Sequence, residues 1–258
     1  MAVHHVDQLD LAWQSYLTCG GFPRAVAEHE RLGHVSQAFL EDIAAWLHRG
    51  IDPDSGEDSV PLLLHTLLER STSPLNRNNA ARVLGYPSRQ TFDLRLNRLT
   101  RNFAGLWCHQ VDEDGRRVDN AQSKYYLTDP LLGWLPTLSR AGIDDPDFTQ
   151  LSEGAMAVSV ARAVDNAEPG RWIANDSIGY LPTGENNKID FAPVPIRAAS
   201  GIASTTPLES KWVSGGWRRE ALSIENKFGC GVLATKDIID ISGRAWALPA
   251  PLVSLLLE

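Results

Sequence analysis

Apolar residues recur at helical spacing through the first half of the chain and alternate with polar ones in parts of the second. From about Leu9 to Ile51 the pattern predicts helices, with Val35, Phe39, Ile43, Trp46 and Leu47 keeping a period near 3.6. Cys19-Gly20-Gly21-Phe22-Pro23 interrupts them: the glycines stop one helix and the proline can open the next. Ile51-Asp52-Pro53-Asp54-Ser55-Gly56 is turn material and a candidate boundary. Val60 to Arg70 puts Leu63, Leu64, Leu67 and Leu68 on one stripe. Asn76 can cap a second helix reaching Leu84, and Gly85-Tyr86-Pro87 turns the chain. Ser88 can cap a third helix, in which Phe92, Leu96, Leu99 and Phe103 repeat on one side and Arg89, Arg95, Arg98 and Arg101 lie mainly on the polar side.

Leu106 to Val111 and Ser123 to Leu127 read as strands around Asp112-Glu113-Asp114-Gly115. Two helices, a glycine turn, an arginine-bearing helix and a hairpin make the pattern of a winged helix-turn-helix. Ala141 to Pro146 is a second candidate linker. Beyond it the spacing predicts a helix over Leu151–Val164, strands over Arg171–Ala174, Lys188–Val194 and Thr206–Val213, a helix carrying Trp217, Ala221, Ile224 and Phe228, and a strand over Gly231–Thr235. The expected fold class is mixed α+β: a helical segment (1–56), a winged helix (57–140) and an α-β-β-β-α-β domain (141–258).

Alternation in that last domain carries the candidate chemistry. Ile189 and Phe191 share one face of their strand and Asp190 points to the other. Leu208, Ser210 and Trp212 point one way on the next strand, Glu209 and Lys211 the opposite way. If the strands pair, two carboxylates and a lysine meet. Asp190 and Glu209 could then hold Mg²⁺, which takes oxygen ligands and keeps several waters, while Lys211 positions the attacking water or stabilises charge on a phosphate. The plainer reading is a solvated cluster in which the E-x-K pair contributes little.

Composition excludes more than it assigns. Hydrophobic residues make up 43% and charged residues 22% of 258, ordinary globular usage. The three cysteines are far apart, outside any C-x-x-C pair, so neither a disulfide framework nor a zinc site is expected. No phosphate-binding loop of the G-x-x-x-x-G-K-[ST] type occurs, hence no ATP site is expected in this chain. The start resembles no signal peptide and no apolar run reaches membrane-spanning length, so a cytoplasmic protein without membrane contact is expected. The net charge of −8 opposes non-specific binding to nucleic acid, yet Arg70 to Arg101 holds seven arginines against Asp93 alone. That local balance of +6 makes DNA the expected partner, through Arg77, Arg82, Arg89, Arg95, Arg98 and Arg101. Winged helices also serve as protein–protein modules, and an arginine-rich face can simply be solvated.

Several stretches, in order, resemble the C-terminal region of a family of bacterial and archaeal AAA-type (STAND-like) ATPases. They are Tyr16-Leu17-Thr18-Cys19-Gly20-Gly21-Phe22-Pro23, Phe39 to Ile51, Ser73-Pro74-Leu75 with Ala80 to Gly85, Lys124 to Leu132, and Lys188-Ile189-Asp190-Phe191 with Leu208-Glu209-Ser210-Lys211. The resemblance implies lid helices, a winged helix and a restriction-endonuclease-like domain of the PD-(D/E)XK kind, following a nucleotide-binding core that this chain lacks. An ATP site would then lie upstream or on another polypeptide. Related nuclease folds often supply a further acid from the first helix, where this chain has Val158; Glu153, five residues earlier, falls on a different face. The expectation is therefore a DNA-associated module whose nuclease-like domain is degenerate. The alternatives are a Mg²⁺-dependent nuclease, and a non-enzymatic module docking on a separate ATPase chain through the Gly20–Ile51 helices.

Overall fold

The computed structural model of the protein describes residues 3–139, 142–167, 177–184, 188–197 and 203–257. They form a mixed α+β protein in two compact units: 15–107 with 122–155, and 1–14 with 108–121 and 156–258. The expected helical segment and the expected winged helix fall largely in the same unit. No helix among the described residues is long and apolar enough to cross a membrane.

The first unit is mainly helical. α1 (Val3–Cys19) ends at Gly20, α2 runs Pro23–Leu32, and α3 runs Gln37–Ile51. Gly20 has φ +76°, and a Cβ there would collide with Asp129 Oδ1, so the break demands glycine for space as well as for conformation. The N–H of Gly21 donates to Asp129 Oδ2 at 2.9 Å, and that of Leu131 donates to Asp129 Oδ1 at 2.9 Å, in the first turn of α7 (Pro130–Ser139). Burial pushes the Asp129 carboxyl up, partly opposed by these two donors. Two separate stretches of the sequence resemblance thus meet at one carboxylate.

α4 (Ser59–Glu69), α5 (Arg77–Val83) and α6 (Arg89–Arg101) follow as expected, capped by Asn76 on Asn79 N–H and by Ser88 on Thr91 N–H. Leu63, Leu64, Leu67, Phe92, Leu96 and Leu99 are fully buried in the core. Phe103 does not join that stripe. α6 stops at Arg101, Phe103 turns out at φ 55° and is 62% exposed, while Ala104 N–H closes back on Leu99 O. β2 (Lys124–Leu127) lies beside the start of β1 (Gly105–Gln110).

In the second unit, the end of β1 pairs parallel with β3 (Ile178–Pro182), and β3 pairs antiparallel with β4 (Lys188–Ile189). A separate four-stranded mixed sheet has the order β5 (Phe191–Arg197), β6 (Ala203–Ser210), β7 (Gly231–Thr235), β8 (Ala245–Pro249). α8 (Phe148–Ala167) extends the expected helix at both ends, and α9 (Arg218–Phe228) joins β6 to the parallel β7. α9 packs Ala221 and Ile224 on a core of Val111, Leu181, Ile189, Ala192, Leu233, Ala245 and Ala247. α10 (Ala250–Leu257) closes the chain, with Ser254 and Ser159 sharing a 2.8 Å hydrogen bond. The strand expected over Arg171–Ala174 lies outside the described residues. The strand expected over Lys188–Val194 is two strands, broken at Asp190.

Candidate functional site

The break at Asp190 builds the site. β4 belongs with β3 and β5 belongs with β6, so Asp190 sits where the chain changes neighbours. Its N–H donates to a side chain, Glu209 Oε2, at 3.0 Å. In return, the N–H of Ser210, the last residue of β6, donates to Asp190 Oδ2 at 3.1 Å. Phe191 pairs with Leu208, which sets Asp190 opposite Glu209. Both acids are buried, at 4% and 8% exposure, although alternation sets them on the face opposite their buried neighbours Ile189, Phe191 and Leu208; both faces are covered here.

Lys211 follows β6, its N–H held by Ala234 O at 2.7 Å, and its Nζ lies 3.4 Å from Glu209 Oε1. Burial pulls the Lys211 ammonium down, but the charges of Glu209 and then Asp190 outweigh it, and the net shift is upward. Lys211 is therefore a firmly held cation. The three expected residues are together: one strand pair delivers the carboxylates, and the residue just past β6 delivers the lysine. Around Glu209 and Lys211 opens a cleft of about 390 Å³ that Lys188, Arg219 and Glu220 also line. Arg219 and Glu220, from the first turn of α9, are site residues that sequence spacing did not single out.

Among the described residues no three His, Cys, Asp or Glu side chains are grouped to hold one metal ion. Asp190 and Glu209 fit Mg²⁺ as a pair, because that ion accepts one or two carboxylates and completes its shell with water. Their engaged oxygens do not prevent this, since a carboxylate oxygen that accepts one N–H keeps a second lone pair.

The arginines of the helical unit are less available than their sequence positions suggest. Arg95 is a correction to the expected polar face: it is buried at 9% exposure, its guanidinium paired with the fully buried Asp52. Tyr86 Oη and Ser55 Oγ also donate to Asp52, at 3.5 and 2.8 Å, and burial together with the Asp52 charge pushes the Tyr86 phenol up to about 12. Arg98, half-buried, donates to Ile51 O at 2.8 Å. Arg77 and Arg89 share Asp93, at 3.4 and 3.3 Å. Arg82 and Arg101 are exposed. The outward stripe of α6 is Gln90, Leu94, Asn97 and Arg101. Glu153, the other acid of the first helix of the expected nuclease-like domain, is buried in the helical unit, where Lys124 Nζ and Tyr126 Oη donate to it at 2.9 and 2.6 Å. No protein-family model, no curated protein and no solved structure matches the chain.

Proposed function

We propose that the unit built on β3–β8 is a restriction-endonuclease-like, Mg²⁺-dependent phosphodiesterase acting on DNA. The observation that carries this reading is the reciprocal placement of Asp190 and Glu209 on paired strands, with the Lys211 ammonium 3.4 Å from Glu209. Asp190 and Glu209 would hold the ion, which when bound supplies a polarised phosphate oxygen and a water of lowered pKa. Lys211, kept charged by the two acids, offsets the charge that develops on the phosphate. Lys188 and Arg219 add positive charge to the same cleft, suited to flanking phosphates. The sequence favours a degenerate site because Val158 replaces an acid; the juxtaposition moves the balance toward cleavage.

The helical unit is proposed as a DNA-docking winged helix. Its support is the order α4, α5, α6, β1, β2, together with the exposed Arg82 and Arg101. The resemblance adds an ATPase core on a preceding segment or a separate chain as a partner. A second reading, DNA binding without cleavage, draws on Val158 and on the backbone N–H groups that already occupy both acids. Incubating supercoiled DNA with the protein and Mg²⁺ or Mn²⁺ separates the two. Nicking that disappears in Lys211→Met supports a phosphodiesterase; DNA retained but uncut supports the binding module.

A further inference from the structure

We propose that the loop over residues 212–217, which joins β6 to α9, stacks the unpaired bases of single-stranded DNA while their phosphates lie in the adjoining cleft; the inference rests on the phosphodiesterase reading for the fate of the bound strand alone.

The loop leaves the cleft at Lys211 and returns to it at Arg219, both of which line it. Residues 211–219 carry Lys211, Arg218 and Arg219 and no acid, in a chain whose net charge is −8. Between these cations stand two half-buried indoles, Trp212 and Trp217. Each has a cation against its ring. Lys236 Nζ lies 5.8 Å from the Trp212 centroid, and the Arg218 guanidinium carbon 5.4 Å from that of Trp217. Val213 is exposed, and a Cβ added to Gly215 or Gly216 would meet nothing within 4 Å, so space is clear around the tip of the loop. The base of the loop is held. Val213 N–H donates to Lys211 O at 2.7 Å, Lys236 N–H donates to Val213 O at 3.2 Å, and Ser214 Oγ donates to Asp237 Oδ2 at 2.9 Å. Indole faces beside cations bind a single strand whatever its sequence, because every unpaired base presents a face and every linkage a negative charge. In a duplex those faces are taken by neighbouring bases. A competing explanation is structural: Trp217 packs in part on the core of this unit, and Asp240 lies 3.7 Å from Arg218. Trp212 stands outside that described core and therefore carries the test.

The measurement is the fluorescence anisotropy of a labelled oligothymidylate of about 12 nucleotides, and of a duplex of the same length, titrated with the full chain in EDTA at fixed salt. Trp212→Ala should weaken single-strand binding about ten-fold and leave duplex binding unchanged. Trp212→Phe, which keeps an aromatic face, should restore most of the loss. UV cross-linking of the wild type to an iodouracil-substituted oligonucleotide should map to residues 212–217, a result that needs no variant to fold. No single-strand binding by the wild type, unchanged affinity in Trp212→Ala, no rescue by Trp212→Phe, or a cross-link mapping elsewhere overturns the inference. A loss equal for both ligands overturns it too and assigns the indole to the fold. Single-strand binding lost in Trp212→Ala, while Asp190→Asn still nicks DNA, supports the loop and overturns the phosphodiesterase site. Metal-dependent nicking without single-strand binding does the reverse.

Discussion

Asp190 and Glu209 each accept a backbone N–H from the other's segment: the N–H of Asp190 donates to Glu209, and the N–H of Ser210 donates to Asp190. The acids thus close the point where β4 gives way to β5, and structure and chemistry share the same atoms. Asp190→Ala leaves the Ser210 N–H buried without an acceptor and should cost about 1–3 kcal/mol. Asp190→Asn keeps an acceptor and should cost less than half as much. Urea denaturation of the two variants checks the difference.

Arg95 and Asp52 set the second expectation. Removing the guanidinium strands a fully buried carboxylate, so Arg95→Ala should destabilise the protein by about 3–5 kcal/mol. Arg82→Ala and Arg101→Ala, on exposed positions, should change stability by less than about 0.5 kcal/mol. If the helical unit docks on DNA, the same two variants should flatten the dependence of log affinity on log salt by roughly 0.9 for each phosphate no longer neutralised. Denaturation and salt-titrated DNA binding, run on all three variants, sort the structural arginine from the docking ones.

How far this was legible in the sequence depends on the residue. The meeting of Asp190, Glu209 and Lys211 follows from alternation, because side chains two apart share a face and one register joins two strands. The break at Asp190 does not, since Lys188 to Val194 alternates as a single strand would. Arg95 misleads because a charged residue on a helix reads as solvated, and its partner Asp52 comes from a turn before α4. Glu220 is invisible as a site residue until α9 packs over the sheet. β8 escapes sequence reading because Ala245-Trp246-Ala247-Leu248-Pro249 has weak strand character; its edge position tolerates the proline. The mixed α+β class and the helix caps at Asn76 and Ser88, by contrast, follow from local signals alone.

Lys124 and Glu153 form a buried pair, at 0% and 6% side-chain exposure. Lys124→Met should cost about 3–5 kcal/mol, because Glu153 is left buried without its cation. Adding Glu153→Gln, which removes the charge but still accepts from Tyr126 Oη, should recover most of the loss. Denaturation midpoints of the single and double variants measure the coupling. A double variant no more stable than Lys124→Met contradicts the pair.

Glu28 predicts a pH effect. Its carboxylate accepts the Ser36 N–H at 2.8 Å and pairs with Arg24 at 2.9 Å, and hydrogen bonds to Ser36 first, then to Arg24, pull it down to about 2 from an ordinary 4.5. A carboxyl depressed on folding contributes stability above its unfolded pKa and loses it as pH falls through the folded value. The α2–α3 junction should therefore hold at pH 4.5 and loosen toward pH 2. Titration of the Glu28 carboxyl by NMR should give a midpoint near 2; a midpoint near 4.5 contradicts the arrangement.

The most direct test of the central claim is the rate at which supercoiled DNA is nicked with Mn²⁺ present, compared between wild type and Asp190→Asn matched for folded fraction. Metal-dependent nicking by the wild type, abolished by chelation and by Asp190→Asn, is the predicted result. No nicking by the wild type, or nicking of equal rate in Asp190→Asn, would contradict it.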